Sequence, residues 1–271
     1  RARATLARMT DIIRKGYVDT VDGQVHYRSV AGQAEPPIVY FHQTASSSQM
    51  FEKVMRLIAH DRQQYALDTP AFGQSFFPPV KPTTRYYVDR LLEALSNLGV
   101  QEFHAFGHHT GACLATEMAV VAPERVKSIA LVGPAYFDAN DRAHWRRAAV
   151  DPLLIKPDGS HLMKIWARVT GLDPSPSPVL CHREAVDTLR AGERWHEAYA
   201  AVFEQDFPAL FAQVKCPILQ MCGPDDVLWP YFEPARKARP DAKSVVMPGG
   251  TYVVDDFPKE VADQIRAFLD A

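Results

Sequence analysis

The chain reads as an α/β protein, a mostly parallel sheet with helices on both faces. Three observations predict this. Short apolar strands alternate with amphipathic helices along most of the chain, as strand-helix-strand units require. Several strands are near-continuous apolar runs, such as Ile38 to His42 and Val126 to Val132, which marks strands buried on both faces. At 271 residues and 47% hydrophobic content, the chain can bury one large core.

Each element follows from local pattern. Gly16 to Val30 alternates apolar and polar residues around Asp22-Gly23, which predicts a β-hairpin. Pro36 and Pro37 introduce the strand Ile38 to His42, and Gln49 to His60 has helical spacing. Gln64 to Asp68 is a short strand ending in the turn TPAFGQS, and Tyr86 to Leu98 is an amphipathic helix. Strand Phe103 to Gly107, helix Ala112 to Val121 and strand Val126 to Val132 follow in order. Strand character returns at Pro217 to Cys222 and Ser244 to Met247, and the last helix covers Lys259 to Leu269. The stretch 138-213 has helical segments, the breaker-rich PSPSP and little strand pattern, so it predicts a helical lid inserted between the sixth and seventh strands. The core domain is then 1-137 and 214-271.

Composition excludes several function classes. A net charge of -2, from 30 basic and 32 acidic residues, gives no field for nucleic acid and points to a small-molecule partner. No apolar run approaches the roughly 20 residues of a membrane span. Cys113, Cys181, Cys216 and Cys222 form no CxxC pair, which predicts free thiols and a reducing, cytoplasmic setting. The arginine-rich start RARATLARM admits a transit-peptide reading, though a leading helix or a trimmed terminus is preferred. A monomer and a homodimer both fit.

The chemistry concentrates at FGHHTG, residues 106–111. A GxSxG elbow puts its central residue on a strained strand-to-helix turn, where only glycines leave room on either side. Gly107 and Gly111 supply that room here, and His109 stands in the place of the serine. In order along the chain come FHQTASSS, DTPAFGQS, GHHTG, PERVKSIALVGP, CGPDDVLWP and GGTYVVDDFP. With this order and spacing the chain resembles the α/β-hydrolase superfamily, in particular the lidded branch of epoxide hydrolases, haloalkane dehalogenases and carbon-carbon hydrolases.

The resemblance covers nearly the whole chain and implies an eight-stranded, mostly parallel sheet. Position by position, it sets His109 at the nucleophile, Asp226 at the acid and Thr251 at the base histidine, so Asp226 alone keeps its expected chemistry. It implies an oxyanion hole from the backbone N–H of Thr110 and the neighbourhood of Gln43, whose amide adds a donor or crowds the pocket. Asp138, after the sixth strand, is a reserve acid.

The imidazole of His109 is longer than a serine side chain, and Thr251 vacates volume beside Asp226, so His109 and Asp226 are expected to form a dyad, directly or through one water or Thr251. General-base catalysis by His109 ranks first, direct attack by His109 second, and Thr251 as nucleophile third. The function expected is hydrolysis or cleavage of a small carbonyl compound, such as an ester, lactone, thioester or carbon-carbon bond. A retired hydrolase acting as a small-molecule receptor, and a cofactor-free decarboxylase or oxygenase, are the alternatives.

Substrate contacts are expected from His42, His108, Tyr136, Trp229 and Tyr252, with structural or second-layer roles favoured for His42 and His108. Trp166 and Trp195 are read as packing residues, and Ser46 to Ser48 as a helix-capping cluster. Three histidines near one strand end raise a metal site, but no HExxH or paired-cysteine spacing supports it, so no metal is expected. No dinucleotide or flavin fingerprint occurs, so no organic cofactor is expected either.

Overall fold

The computed structural model describes residues 12–147 and 151–270. The basic leader RARATLARM lies outside the described residues.

The strands are β1 (Arg14–Thr20), β2 (Gly23–Val30), β3 (Ala34–Phe41), β4 (Arg62–Leu67), β5 (Phe103–His108), β6 (Val126–Val132), β7 (Ile218–Cys222) and β8 (Lys243–Val246). They form one eight-stranded sheet in the order β1-β2-β4-β3-β5-β6-β7-β8. The hairpin β1-β2 and the β2-β4 pair are antiparallel, and every pair from β4 to β8 is parallel. The expected mostly parallel sheet is therefore observed.

The predicted helix at Gln49 divides into a 3-10 turn, Ser48–Phe51, and α1 (Glu52–Ile58). Ser47 caps that turn by accepting the Gln49 N–H. Helix α2 (Thr84–Asn97) begins where the Thr83 hydroxyl accepts the Tyr86 N–H, and it buries Tyr87, Val88, Leu91, Ala94 and Leu95 along one face. Helix α3 (Thr110–Val121) is buried over nearly all its length, as a helix apolar all round should be. Among the described residues, five α-helices lie between β6 and β7: α4 (Ala139–Arg147), α5 (Ser160–Thr170), α6 (Pro178–Ala191), α7 (Glu197–Glu204) and α8 (Phe207–Phe211). Helix α9 (Trp229–Ala238) and the short α10 (Val253–Asp256) carry no expectation from sequence, and α11 (Pro258–Leu269) closes the chain. No described helix is long and apolar enough to cross a membrane.

Two cores sandwich the sheet. Leu67, Phe103, Ile129, Leu131 and the inner face of α3 build one, which continues into the inserted helices. Tyr40, Phe51, Phe106, Leu219 and Ile265 build the other, beneath α1 and α11. Burying one such large apolar side chain contributes about 1.5–3 kcal/mol, so the elements are held chiefly by their shared apolar faces. The four cysteines are free, three of them buried.

The crossing of α3 over the sheet is as close as backbone allows. A Cβ on Gly107 would lie 2.2 Å from the Gly111 carbonyl oxygen, and a Cβ on Gly111 would lie 1.9 Å from the Phe41 carbonyl oxygen. Both obstacles are backbone, so neither can turn aside. Gly111→Ala is expected to force α3 away from β3 and lower stability by about 1–3 kcal/mol, the usual scale of overpacking. Chemical denaturation of the two proteins measures it.

Candidate active site

His109 occupies the sharp turn between β5 and α3 with φ 48 and ψ -107. This conformation costs an ordinary residue about 1–3 kcal/mol and persists because the packing around it leaves no alternative. Its N–H donates to the Val132 carbonyl, and its own carbonyl accepts from Ala112 and Cys113 at the start of α3. The side chain is thereby aimed at the carboxyl ends of the parallel strands, where ligands collect in open α/β sheets.

The imidazole reaches Asp226 directly. Nε2 of His109 lies 3.0 Å from Oδ1 and 2.9 Å from Oδ2 of Asp226. The Leu228 N–H donates to Oδ1 at 2.7 Å, which fixes the carboxylate plane. Burial alone would push the Asp226 carboxyl up, but the His109 charge and hydrogen bond, with the Leu228 N–H, hold it below the ordinary carboxylate range. A carboxylate facing Nε2 favours the tautomer with its proton there, leaving the Nδ1 lone pair free. Among the described residues, no hydrogen bond reaches Nδ1.

Space for this contact comes from Gly133, at the end of β6. A Cβ there would lie 2.4 Å from His109 Cδ2, 2.6 Å from Nε2 and 3.3 Å from Asp226 Oδ2. Gly133 also has φ 58, a conformation that favours glycine. Sequence reasoning missed it, although a glycine directly after a buried strand and before Pro134 was the available signal.

His108 is fully buried, with its ring 4.4 Å from that of His109 and edge-on to it. Among the described residues, neither of its nitrogens has a hydrogen-bond partner. Burial, aided by adjacent His109 and opposed by Asp226, holds it well below the ordinary imidazole value. Donor atoms of His108, His109 and Asp226 all lie within 4.8 Å of one another, a two-histidine, one-carboxylate set. A metal on His109 Nε2 would displace the proton shared with Asp226, so the dyad and a metal compete for the same nitrogen.

A cavity of about 170 Å³ opens over the dyad. Gln43, Thr44, His109, Thr110 and Thr251 line its floor, and Phe137, Trp145, Tyr199 and Phe203 form an aromatic wall. Trp145 stacks on Phe203 at 5.9 Å and Phe203 on Tyr199 at 6.0 Å. Tyr199 and Phe203 share a face of α7, and that four-residue spacing was the signal sequence reasoning passed over. The N–H groups of Gln43 and Thr110 make no hydrogen bond among the described residues, and the Thr44 and Thr110 hydroxyls meet at 2.9 Å. The Gln43 amide is turned toward α6, 3.5 Å from a Glu184 oxygen. Thr251 is 2% exposed, and its hydroxyl oxygen is buried without a partner; no hydrogen bond joins it to His109 or Asp226.

Five residues expected at the substrate lie off the cavity wall. His42 is consumed structurally: its Nδ1–H donates to the Gln43 carbonyl at 2.8 Å, and its Nε2 accepts the Thr69 N–H at 2.9 Å. These two bonds fix its tautomer and tie the loops after β3 and β4 together. His108 points into the packed interior. Tyr136 packs edge-on against Phe207 and Phe211, and Trp229 lies 5.7 Å from Phe232 at the start of α9. Tyr252 is buried, with its hydroxyl donating to the Val169 carbonyl at 3.0 Å. Asp138 is exposed and caps α4 by accepting the N–H groups of Asn140 and Asp141.

The sequence profile of the alpha/beta hydrolase fold matches residues 36–217 of the chain. The chain belongs to the alpha/beta hydrolase fold family. Among its relatives, it is 27% identical to a fluoroacetate dehalogenase from Burkholderia sp over 284 residues, covering 91% of each chain. It is 24% identical to the uncharacterized carboxylesterase nap of Bacillus subtilis, covering 94% of this chain and 86% of that one. Among solved structures of the same fold, a hydrolase from Pseudomonas aeruginosa superposes with a TM-score of 0.80 at 20% identity, covering 95% of this chain and 99% of the other. The enol-lactonase of Burkholderia xenovorans superposes with a TM-score of 0.79 at 16% identity, covering 94% of this chain and all of the other. In this member of the fold, the residue on the strand-to-helix turn is an imidazole bonded to Asp226.

Two outcomes follow. Gly133→Ala is expected to push the His109 ring off Asp226 while leaving the fold intact, seen as a changed His109 imidazole signal by NMR. His108, neutral when folded and of ordinary basicity when unfolded, makes the unfolded state bind more protons below pH 6.5. Wild-type stability relative to His108→Phe is therefore expected to fall with pH below 6.5, by up to about 1.4 kcal/mol per unit. Unfolding midpoints between pH 5 and 8 measure the slope.

Proposed function

We propose that this chain is an enzyme that hydrolyses or cleaves a small carbonyl compound, with His109 as general base and Asp226 as the residue that orients it. The observation that carries the reading is the direct contact of His109 Nε2 with both Asp226 oxygens. It leaves Nδ1 as the proton acceptor on a ring that lines the cavity. In the proposed step, Nδ1 takes a proton from water, or from a substrate hydroxyl or carbon acid, as the carbonyl oxygen gathers charge. The unused N–H groups of Thr110 and Gln43 receive that charge.

The magnitudes suffice for an enzyme. A positioned base contributes about 10² to 10⁴ in rate, and an oxyanion donor roughly 3 kcal/mol of barrier lowering. Attack by Thr251 is less well supported, since its hydroxyl has no bond to His109 that would activate it. Esters, lactones and thioesters are the substrate classes proposed, and the related fluoroacetate dehalogenase and carboxylesterase support a small substrate. The inserted helices within 138–213 act as the lid, because they supply Trp145, Tyr199 and Phe203 of the aromatic wall.

On a panel of small esters, lactones and thioesters, His109→Ala is expected to lower kcat/KM by about 10² or more, and Asp226→Asn by a smaller factor. Both should keep the wild-type fold by circular dichroism. Turnover undiminished in His109→Ala would overturn the assignment, as would a stable acyl-enzyme seen by intact-protein mass spectrometry.

A further inference from the structure

One cation in the cavity is left over from the dyad chemistry. Among the described residues, Arg168, on α5, is the one arginine or lysine on the cavity wall, and no aspartate or glutamate shares that wall with it. Among the described residues, no carboxylate lies within 4.0 Å of its guanidinium, whereas Arg28, Arg90, Arg142, Arg183, Arg194 and Arg239 each pair with one. A half-buried guanidinium facing apolar rings, with no counter-charge, is a costly arrangement unless something else supplies that charge.

The guanidinium is also held in a set position. It lies over the Trp195 ring at 4.7 Å and beside the Tyr199 ring at 5.8 Å. Its Nη2 donates to the Tyr199 hydroxyl at 2.8 Å, and that hydroxyl donates to the Thr44 carbonyl at 2.6 Å. Tyr199 takes one of the five guanidinium N–H donors; the rest have no protein acceptor among the described residues. Stacking with one edge occupied leaves the planar fork suited to receive a carboxylate. The Tyr199 to Thr44 link sets this fork beside the loop that also carries Gln43. The Thr251 hydroxyl, on the same cavity wall, has no hydrogen-bond partner among the described residues.

We infer that Arg168 is a substrate-binding residue that pairs with the carboxylate of a small, otherwise apolar substrate, whose carbon skeleton rests on the aromatic wall. Trp195 and Tyr199 are the positioning residues that hold the guanidinium. The inference rests on the cavity being the active site and narrows the substrate to monoanionic carboxylic acids that also carry the scissile carbonyl. A cavity of about 170 Å³ has room for a molecule near the size of a substituted benzene, since an apolar cavity of roughly 150 Å³ admits benzene.

Benzoate and benzamide are isosteric probes that differ in charge, and calorimetric titration of both at constant ionic strength is the test. Wild type and His109→Ala are both expected to bind benzoate at least tenfold more tightly than benzamide. Arg168→Gln, which removes the charge and leaves a neutral amide donor group on a shorter stem, is expected to lose that preference, and Arg168→Lys to keep part of it. Equal affinities in the wild type, or no binding of either probe, overturn the inference, as does a preference that survives Arg168→Gln. The wild-type comparison decides the matter even if the glutamine variant fails to fold. A charge preference without turnover of any ester keeps Arg168 as an anion site and discards the general base, so the two readings fail separately.

Discussion

The contact between His109 and Asp226 is the interaction to which the rest of the site answers. A carboxylate with its side chain fully buried is expensive, several kcal/mol in a real protein interior, unless hydrogen bonds and an opposing charge offset it. The Leu228 N–H donates one such bond, and Nε2 of the imidazole faces both carboxylate oxygens. The imidazole in turn arrives only because the backbone at residue 109 takes a positive φ, and because residue 133 has no side chain. Three local exceptions to ordinary chain preference thus converge on one hydrogen bond. Such clustering of strain and buried charge is what separates a working site from the packing around it.

The fold was legible because its signals are redundant. The central strands β3, β6 and β7 carry short apolar runs, helices such as α2 and α11 have an apolar stripe, and tertiary packing reinforces both. The discrepancies are local: the helix expected from Gln49 starts as a 3-10 turn, and α9 and α10 went unread, since Pro230 and Pro234 blur the helical pattern of α9. Around the site, His109 and Asp226 were legible because they stand inside short motifs with a defined backbone shape. Pocket residues were not. Tyr136, Trp229 and Tyr252 follow strand ends in sequence, yet each turns into packing, whereas the cavity wall comes from Trp145, Tyr199 and Phe203 on helices whose placement depends on long-range contacts. The same holds for His42, whose two backbone bonds appear only when the loops after β3 and β4 meet.

Electrostatics separates the neighbouring imidazoles into different tasks. His42 and His108 are both buried and pushed toward the neutral form, chiefly by lost hydration. His109 adjoins a buried carboxylate and remains partly open to the cavity. Residue type alone does not distinguish the three, and their surroundings do.

The inserted helices do more than cover the cavity. Asp173, between α5 and α6, accepts the N–H groups of Thr251 and Tyr252 at 2.8 and 3.0 Å, and Glu184 and Asp187 of α6 receive the hydroxyls of Ser46 and Ser47. Both loops that frame the dyad are therefore pinned by carboxylates that belong to the insert. The consequence concerns ancestry and engineering alike. An insert lacking carboxylates at these three positions would leave both loops without their anchors, so insert and scaffold can exchange only as a matched set.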